Sequence, residues 1–185
     1  MYTTNGNCKT GVSDWSNCDR CRLAESRTRV VLRRDSERRH PIHLLILGDA
    51  PGRIENVIGV PYCGSSYQIL LGPEGILNRI PEDFSYTITY LVCCATFDRA
   101  PVKAEIELCS PHIKELVQTT SPSGVVYLSP FAEKHFKTKL PSVTLTKPSK
   151  ILSEEFRLLP VIRNARKLQL FIQELGNKLV NSKVR

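Results

Sequence analysis

Apolar positions in this chain fall into short dense runs separated by breaks rich in glycine, proline and polar residues. Ile42 to Leu47, within PIHLLILGDAPG, is a run ended by Gly48, Pro51 and Gly52. Its length and flanks predict a buried strand feeding a tight loop. Tyr86 to Val92 (YTITYLV) is rich in β-branched and aromatic residues and predicts a second strand. Val125 to Leu128 (VVYL) predicts a third, and Val143 to Thr146 (VTLT) a fourth.

Between these runs the period changes. Pro101 suits the first turn of a helix. Val102, Ile106, Cys109, Ile113 and Leu116 then follow at helical spacing, with a kink expected at Pro111. Residues Ser66 to Arg79 read as partly helical, interrupted at Gly72 and Pro73. Ile162, Ala165, Leu168, Ile172, Leu175 and Leu179 mark an amphipathic helix over about 161–180. Residues 1–29 show no periodicity, and 1–17 read as irregular. Strands alternating with helices imply an α/β, three-layer fold, with a central four-stranded parallel sheet flanked by helices. The chain reads as one domain over 1–185, without repeat, linker or low-complexity tract. In such sheets functional loops lie at the carboxyl ends of the strands.

Composition narrows the class. The 185 residues are 41% hydrophobic and 24% charged, enough for a core and unlike a disordered tail. No stretch approaches the roughly 18 uncharged apolar residues of a membrane span. The polar N-terminus, MYTTNGNCKTGVSDWS, lacks the apolar segment of a signal peptide. A cytoplasmic protein without membrane partners is expected, nucleoid-associated or viral in an infected cell being compatible. The net charge of +8 attracts polyanions, of which nucleic acid is the commonest. Eight arginines lie between Arg20 and Arg39, offset in part by Asp19, Glu25, Asp35 and Glu37. Guanidinium groups suit bidentate phosphate contacts, although a solvated loop is the plainer reading.

The loops at the strand ends carry candidate chemistry. Gly48-Asp49-Ala50-Pro51-Gly52 places a carboxylate where a crevice would open, with Arg53 just beyond. Asp49 also suits a plain turn or N-cap role. Tyr62, in Gly59-Val60-Pro61-Tyr62-Cys63-Gly64, suits either a stacking platform for a flat ligand or a core position. Lys147-Pro148-Ser149-Lys150 suits phosphate binding or simple exposure.

The seven cysteines are an odd number, which argues against a disulfide framework and for a reducing compartment. Cys18-Asp19-Arg20-Cys21 is a C-x-x-C motif, and Cys94 and Cys109 form a second, wider pair. Four such thiolates suit zinc or an iron–sulfur cluster that pins a long loop to the body. Cys93 competes with Cys94, because neighbours on a strand point to opposite faces. Cys109 otherwise reads as a core residue, and Cys8 and Cys63 as free thiols.

Taken in order, Cys18-x-x-Cys21-Arg22-Leu23, LLILGDAPG, GVPYCG, TITYLVCC, EIELC, VVYLSPFA and TKPSKIL resemble the iron–sulfur uracil-DNA glycosylases of the uracil-DNA glycosylase superfamily. The resemblance runs from about Cys18 to Leu152. It implies a [4Fe–4S] cluster held by Cys18, Cys21, Cys94 and Cys109, structural in role, with zinc as the alternative metal. It implies DNA as partner, a monomer, and a base pocket lined by Gly48, Asp49, Ala50 and Pro51, with Tyr62 stacking on an extruded base. Departures are equally specific. Asp49 stands where the family commonly has Glu, Tyr62 where it has Phe, Tyr90 where it has the Asn that reads the uracil edge, and Lys147 where it has His. Ala95, Thr96 and Phe97 replace an Arg-Pro-Pro after the cluster cysteine.

N-glycosidic cleavage needs the base out of the stack, a negative charge beside the developing oxocarbenium sugar, and a donor or cation for the departing base. Asp49 supplies the carboxylate in this reading and Lys147 the cation. Arg53, Ser149 and Lys150 would meet DNA phosphates. A phenol at position 90 cannot reproduce the paired donor and acceptor of an amide. The resemblance therefore implies a DNA glycosylase acting on uracil or another modified base. The alternative is an inactive DNA-binding or complex-forming module of the same fold, with protein partners.

Overall fold

The sheet is built around His43–Gly48 (β2), whose residues Leu44 to Leu47 are fully buried. A computed structural model describes residues 15–37, 39–81, 83–155 and 157–183, with only the backbone of 182 and 183. Residues 1–14, including Cys8, and Arg38 lie outside the described residues.

Side chains alternate across β2, so each face of the sheet receives its own core. Leu44 and Ile46 join one cluster with Ile88, Val126 and Leu128, covered by helix residues Leu70, Ile151, Leu168 and Ile172. Leu45 and Leu47 join another with Val125 and Tyr127, covered by Ile106, Cys109, Ile113 and Ala132. These two clusters make the three layers. Truncating any of these leucines to alanine would cost about 2–5 kcal/mol.

Ser85–Tyr90 (β3) and Gly124–Tyr127 (β4) flank β2 in parallel, with Gly48 opposite Tyr90 and Leu47 opposite Tyr127. Ser142–Thr144 (β5) extends the parallel set beside β4. The four parallel strands match those expected from the sequence within a residue or two. The sheet has five strands, however, in the order β1-β3-β2-β4-β5. Arg34–Asp35 (β1) is antiparallel to β3, pairing Arg34 with Ile88 and Asp35 with Thr87. The four-strand expectation is corrected by this edge strand, which is short, charged and without apolar signal. Such an edge resists further pairing.

The helices are Leu23–Ser26 (α1), Arg53–Ile58 (α2), Tyr67–Leu70 (α3), Lys103–Thr120 (α4), Pro130–His135 (α5), Pro148–Leu152 (α6) and Leu158–Lys183 (α7). A 3₁₀ turn follows α3 at Leu77–Arg79, in keeping with the interruption at Gly72 and Pro73. The helix α4 runs unbroken through Pro111, where a kink was expected. Its start is fixed by Glu105, which accepts from the Val102 N–H at 2.9 Å and pairs with Arg99. The helix α7 extends the expected 161–180 at both ends. Among the described residues no helix is long and apolar enough to cross a membrane.

Strand order reverses at β2. The chain moves to β3 on one side and then returns to β4 on the other, so the loops after β2 and β4 part at their carboxyl ends, where this topology is expected to place a ligand crevice.

Candidate active site and cysteine cluster

Asp49 follows β2 directly at that crevice and is almost wholly buried, at 9% exposure. One carboxylate oxygen accepts from the Ser129 hydroxyl at 2.5 Å and the other from the Lys147 ammonium at 2.7 Å. Ser129 is the N-cap of α5. Its Oγ also accepts from the Ala132 N–H at 2.9 Å, and Pro130 occupies the first helical position. The cap therefore fixes the hydroxyl that orients the carboxylate. Lys147 is the residue before α6, with its side chain half exposed. A charge at the mouth of the crevice thus faces a buried partner held from behind.

The floor beside Asp49 is aromatic. Tyr62 and Tyr90 are both buried and stack with ring centroids 5.2 Å apart and planes 16° from parallel. The Tyr90 hydroxyl oxygen accepts from the Tyr62 N–H at 3.0 Å. Tyr62 takes a left-handed backbone conformation, with φ of 52°, uncommon for a bulky residue. Burial, then the nearby carboxylates of Asp49 and Glu55, push the Tyr62 phenol far above its ordinary range. Burial likewise pushes Tyr90 up. Both rings therefore remain neutral phenols. Gly48 permits the arrangement, since a Cβ there would lie 2.4 Å from the Tyr62 Oη and 2.9 Å from the Tyr90 ring.

Asp49, Lys147, Gly48, Tyr62 and Tyr90 are thus brought together, with Ala50 and Pro51 next in the loop. Arg53 is turned elsewhere: it pairs with Asp98 at 2.5 Å and lies over the Phe97 ring. Ser149 and Lys150 are exposed on α6. Sequence reasoning missed two residues. Ser129 was visible as a Ser-Pro pair closing a strand, the signature of a capped helix start. Glu55 is buried and its Oε1 accepts from the Gly64 N–H at 2.9 Å, tying α2 to the Tyr62 loop; a lone acid on a short helix gives no such signal.

A family profile described as Uracil DNA glycosylase superfamily matches residues 39–176. The chain belongs to the uracil DNA glycosylase superfamily. Among curated superfamily members it is similar to a Type-4 uracil-DNA glycosylase of Archaeoglobus fulgidus, 26% identical over 121 residues, which are 65% of this chain and 59% of the relative. It is similar to another of Pyrobaculum aerophilum, 27% identical over 118 residues, 64% of this chain and 58% of that one. A third, of Sulfurisphaera tokodaii, is 24% identical over 123 residues, 66% of this chain and 54% of the relative. The matched segment spans less than two thirds of each of these superfamily relatives.

On the opposite face from the tyrosine pair, Cys21, Cys93, Cys94 and Cys109 lie near one another beside α4, whereas Cys63 lies with the tyrosines. Cys93, Cys94 and Cys109 are buried, Cys18 and Cys21 partly so, and all are free thiols. The Cys21 thiol is raised by burial and by the nearness of Cys109 and Cys18. Cys94 is pushed up to about 11 by burial, with Cys109 and Cys21 close and the Arg27 guanidinium opposing, its Nη1 3.9 Å from the sulfur. Cys109 is lowered to about 7, first by a hydrogen bond from Cys93. Cys21 and Cys94 thus each lie within electrostatic reach of Cys109, and Cys94 of Cys21. Among the described residues, no three His, Cys, Asp or Glu side chains are grouped closely enough to hold a metal ion. The donors suit a thiophilic centre in kind and neighbourhood, without a closed ligand shell. The expected division of Cys93 from Cys94 by strand alternation does not apply, because β3 ends at Tyr90 and both lie in the bends beyond it. The cysteine loop is clamped to α4 by Trp15, whose indole N–H donates to Glu115 at 2.8 Å and whose ring packs against His112. Arg20 lies over the same indole, 4.3 Å from its centroid.

Proposed function

We propose that the protein is a DNA glycosylase that extrudes uracil or another modified base and hydrolyses its N-glycosidic bond. The observation that carries this reading is the buried Asp49 carboxylate, held by Ser129 and Lys147 at the switch point of the sheet. An extruded nucleotide entering there meets fixed negative charge beside its sugar and a cation at its base. As the C1′–N bond breaks, Asp49 stabilises the oxocarbenium sugar and orients the water whose oxygen joins C1′, and the proton this water loses ends, through solvent, on the departed base anion. The bonding pair leaves with the base, where Lys147 offsets it. Both charges are in place before reaction, which is what makes such groups effective. Lys147 acts as a cation rather than a Schiff-base nucleophile, since its ammonium is tied to Asp49.

Ala50 and Pro51 line the pocket, and Tyr62 and Tyr90 shape the base slot. Ser149 and Lys150 meet the DNA backbone, and Arg53 joins them only on leaving Asp98. Cys18, Cys21, Cys94 and Cys109 would hold a [4Fe–4S] cluster, or zinc in its place. When bound, that group supplies structural pinning of the N-terminal loop against α4.

The Tyr62–Tyr90 stack favours a second reading, an inactive DNA-binding or complex-forming module. Tyr90 already covers one face of the Tyr62 ring, and neither ring presents an amide. Base release separates the two. Duplexes and single strands carrying uracil, hypoxanthine, xanthine or bulky pyrimidine derivatives are incubated with the protein and scored for abasic sites. Release from any of them supports the enzyme. DNA binding without release from all of them supports the module.

A further inference from the structure

A second site lies along α6 from Asp49. A groove of about 360 Å³ opens between the end of β5, α6 and the first turns of α7. Lys150, Arg163 and Lys167 line it, with Glu154 as the single acidic group in its wall. Arg163 and Lys167 are four residues apart on α7 and so share one face. Among the described residues none of these three cations makes an ion pair, whereas Arg53, Arg99, Lys147 and Lys178 all do. Three like charges around one groove repel one another, and one carboxylate does not balance them.

The groove is also built rather than incidental. Asn164, only 6% exposed, forms its floor. The Asn164 Oδ1 accepts from the Thr146 N–H at 2.8 Å, and its Nδ2 donates to the Pro160 carbonyl at 2.7 Å. Lys167 donates to the Thr144 carbonyl at 2.7 Å, so its ammonium is held at the rim instead of ranging through solvent. Lys150 lies one helical turn beyond Lys147. The helix α6 thus joins the two places, with Lys147 before its first turn touching Asp49 and Lys150 lining the groove.

We propose that the groove binds backbone phosphates of the DNA strand, extending the contact surface from α6 onto Arg163 and Lys167 of α7. The proposal rests on the reading that the protein acts on DNA, and it assigns α7 a role that the base site does not require.

The test is the salt dependence of binding to an undamaged, fluorescently labelled duplex, measured by anisotropy for the full chain. The variants Arg163→Gln and Lys167→Gln are compared with wild type and with Lys178→Gln, a control whose lysine pairs with Glu174 further along the helix. Each groove variant is expected to weaken binding several-fold at low salt. Each should also reduce the slope of log K against log salt by about 0.9, the share of one lost phosphate contact. Lys178→Gln should leave both unchanged. Arg163 and Lys167 are exposed, and melting curves of the variants should match wild type. Inorganic phosphate at constant ionic strength distinguishes a strand site from a free-phosphate site. Displacement of the duplex by millimolar phosphate, lost in the groove variants, overturns the strand assignment. Wild-type slopes in both groove variants overturn the groove while leaving the DNA reading intact. Absence of any salt-dependent DNA binding by wild type overturns both.

Discussion

Replacing Asp49 by Asn probes the site where stability and chemistry meet. The substitution keeps the shape and one carbonyl oxygen, so the Ser129 hydroxyl retains an acceptor. It removes the negative charge and points an amide N–H₂ at the Lys147 ammonium. A hydrogen bond to a charged group is worth about 1.5–3 kcal/mol when buried. Lys147 is half exposed, so solvent screening brings the expected loss to about 1–2 kcal/mol. For a domain of this size that lowers Tm by about 2–8 °C. The chemical loss is larger. Removing one preorganised electrostatic group costs about 2.7–4 kcal/mol, or 10²–10³ in rate. The two effects separate if single-turnover base release is measured with enzyme in excess, well below Tm, alongside anisotropy on the same oligonucleotide. The expected result is a rate lower by 10²–10³ with affinity within about twofold of wild type. Adding Lys147→Gln to Asp49→Asn should lower the rate further, because the lysine faces the departing base whereas the carboxylate faces the sugar. Release within about threefold of wild type would refute the role of the carboxylate, as would a rate loss matched by an equal loss of affinity.

Other outcomes follow from the same geometry. Tyr90→Phe keeps the ring stack but leaves the buried Tyr62 N–H without its acceptor, so denaturant unfolding should show a loss of about 1–3 kcal/mol. His43 and His112 are both held below the ordinary histidine range, in each case chiefly by burial. The unfolded chain therefore takes up these protons first. The contribution of the two histidines should be flat above about pH 6.5 and fall as pH drops below it, with a smaller fall in His112→Gln. Iron or zinc content per chain should collapse in Cys21→Ser and Cys109→Ser. Comparing Cys93→Ser with Cys94→Ser identifies the third ligand, the expected outcome being loss of metal in Cys94→Ser alone.

Much of the fold is visible in the sequence because parallel strands are buried on both faces and so read as unbroken apolar runs. That is why HLLILG and GVVY stand out while Arg34–Asp35 does not. The edge strand β1 has no pattern of its own and exists only because β3 offers a partner. At the site, Asp49 and Lys147 are each marked by the loop chemistry that ends their strands. Their pairing joins residues 98 positions apart and becomes visible only once the sheet brings the strand ends together. The Tyr62–Tyr90 stack is hidden for the same reason. The motif spacing of Cys18 and Cys21 was readable; Cys21 lies within electrostatic reach of Cys94 and Cys109, while among the described residues no three donors close on one metal position. The alternation argument at Cys93 and Cys94 failed because it assumed a strand longer than β3.

The most direct measurement is mass analysis of products after wild-type protein meets the modified-base duplexes in ¹⁸O-labelled water, with borohydride added in a parallel reaction. The expected products are the free base and an abasic strand carrying one oxygen from solvent, with no protein–DNA adduct. Intact strands on every duplex would contradict a hydrolytic site built on Asp49, and a borohydride-trapped adduct at Lys147 would contradict it equally.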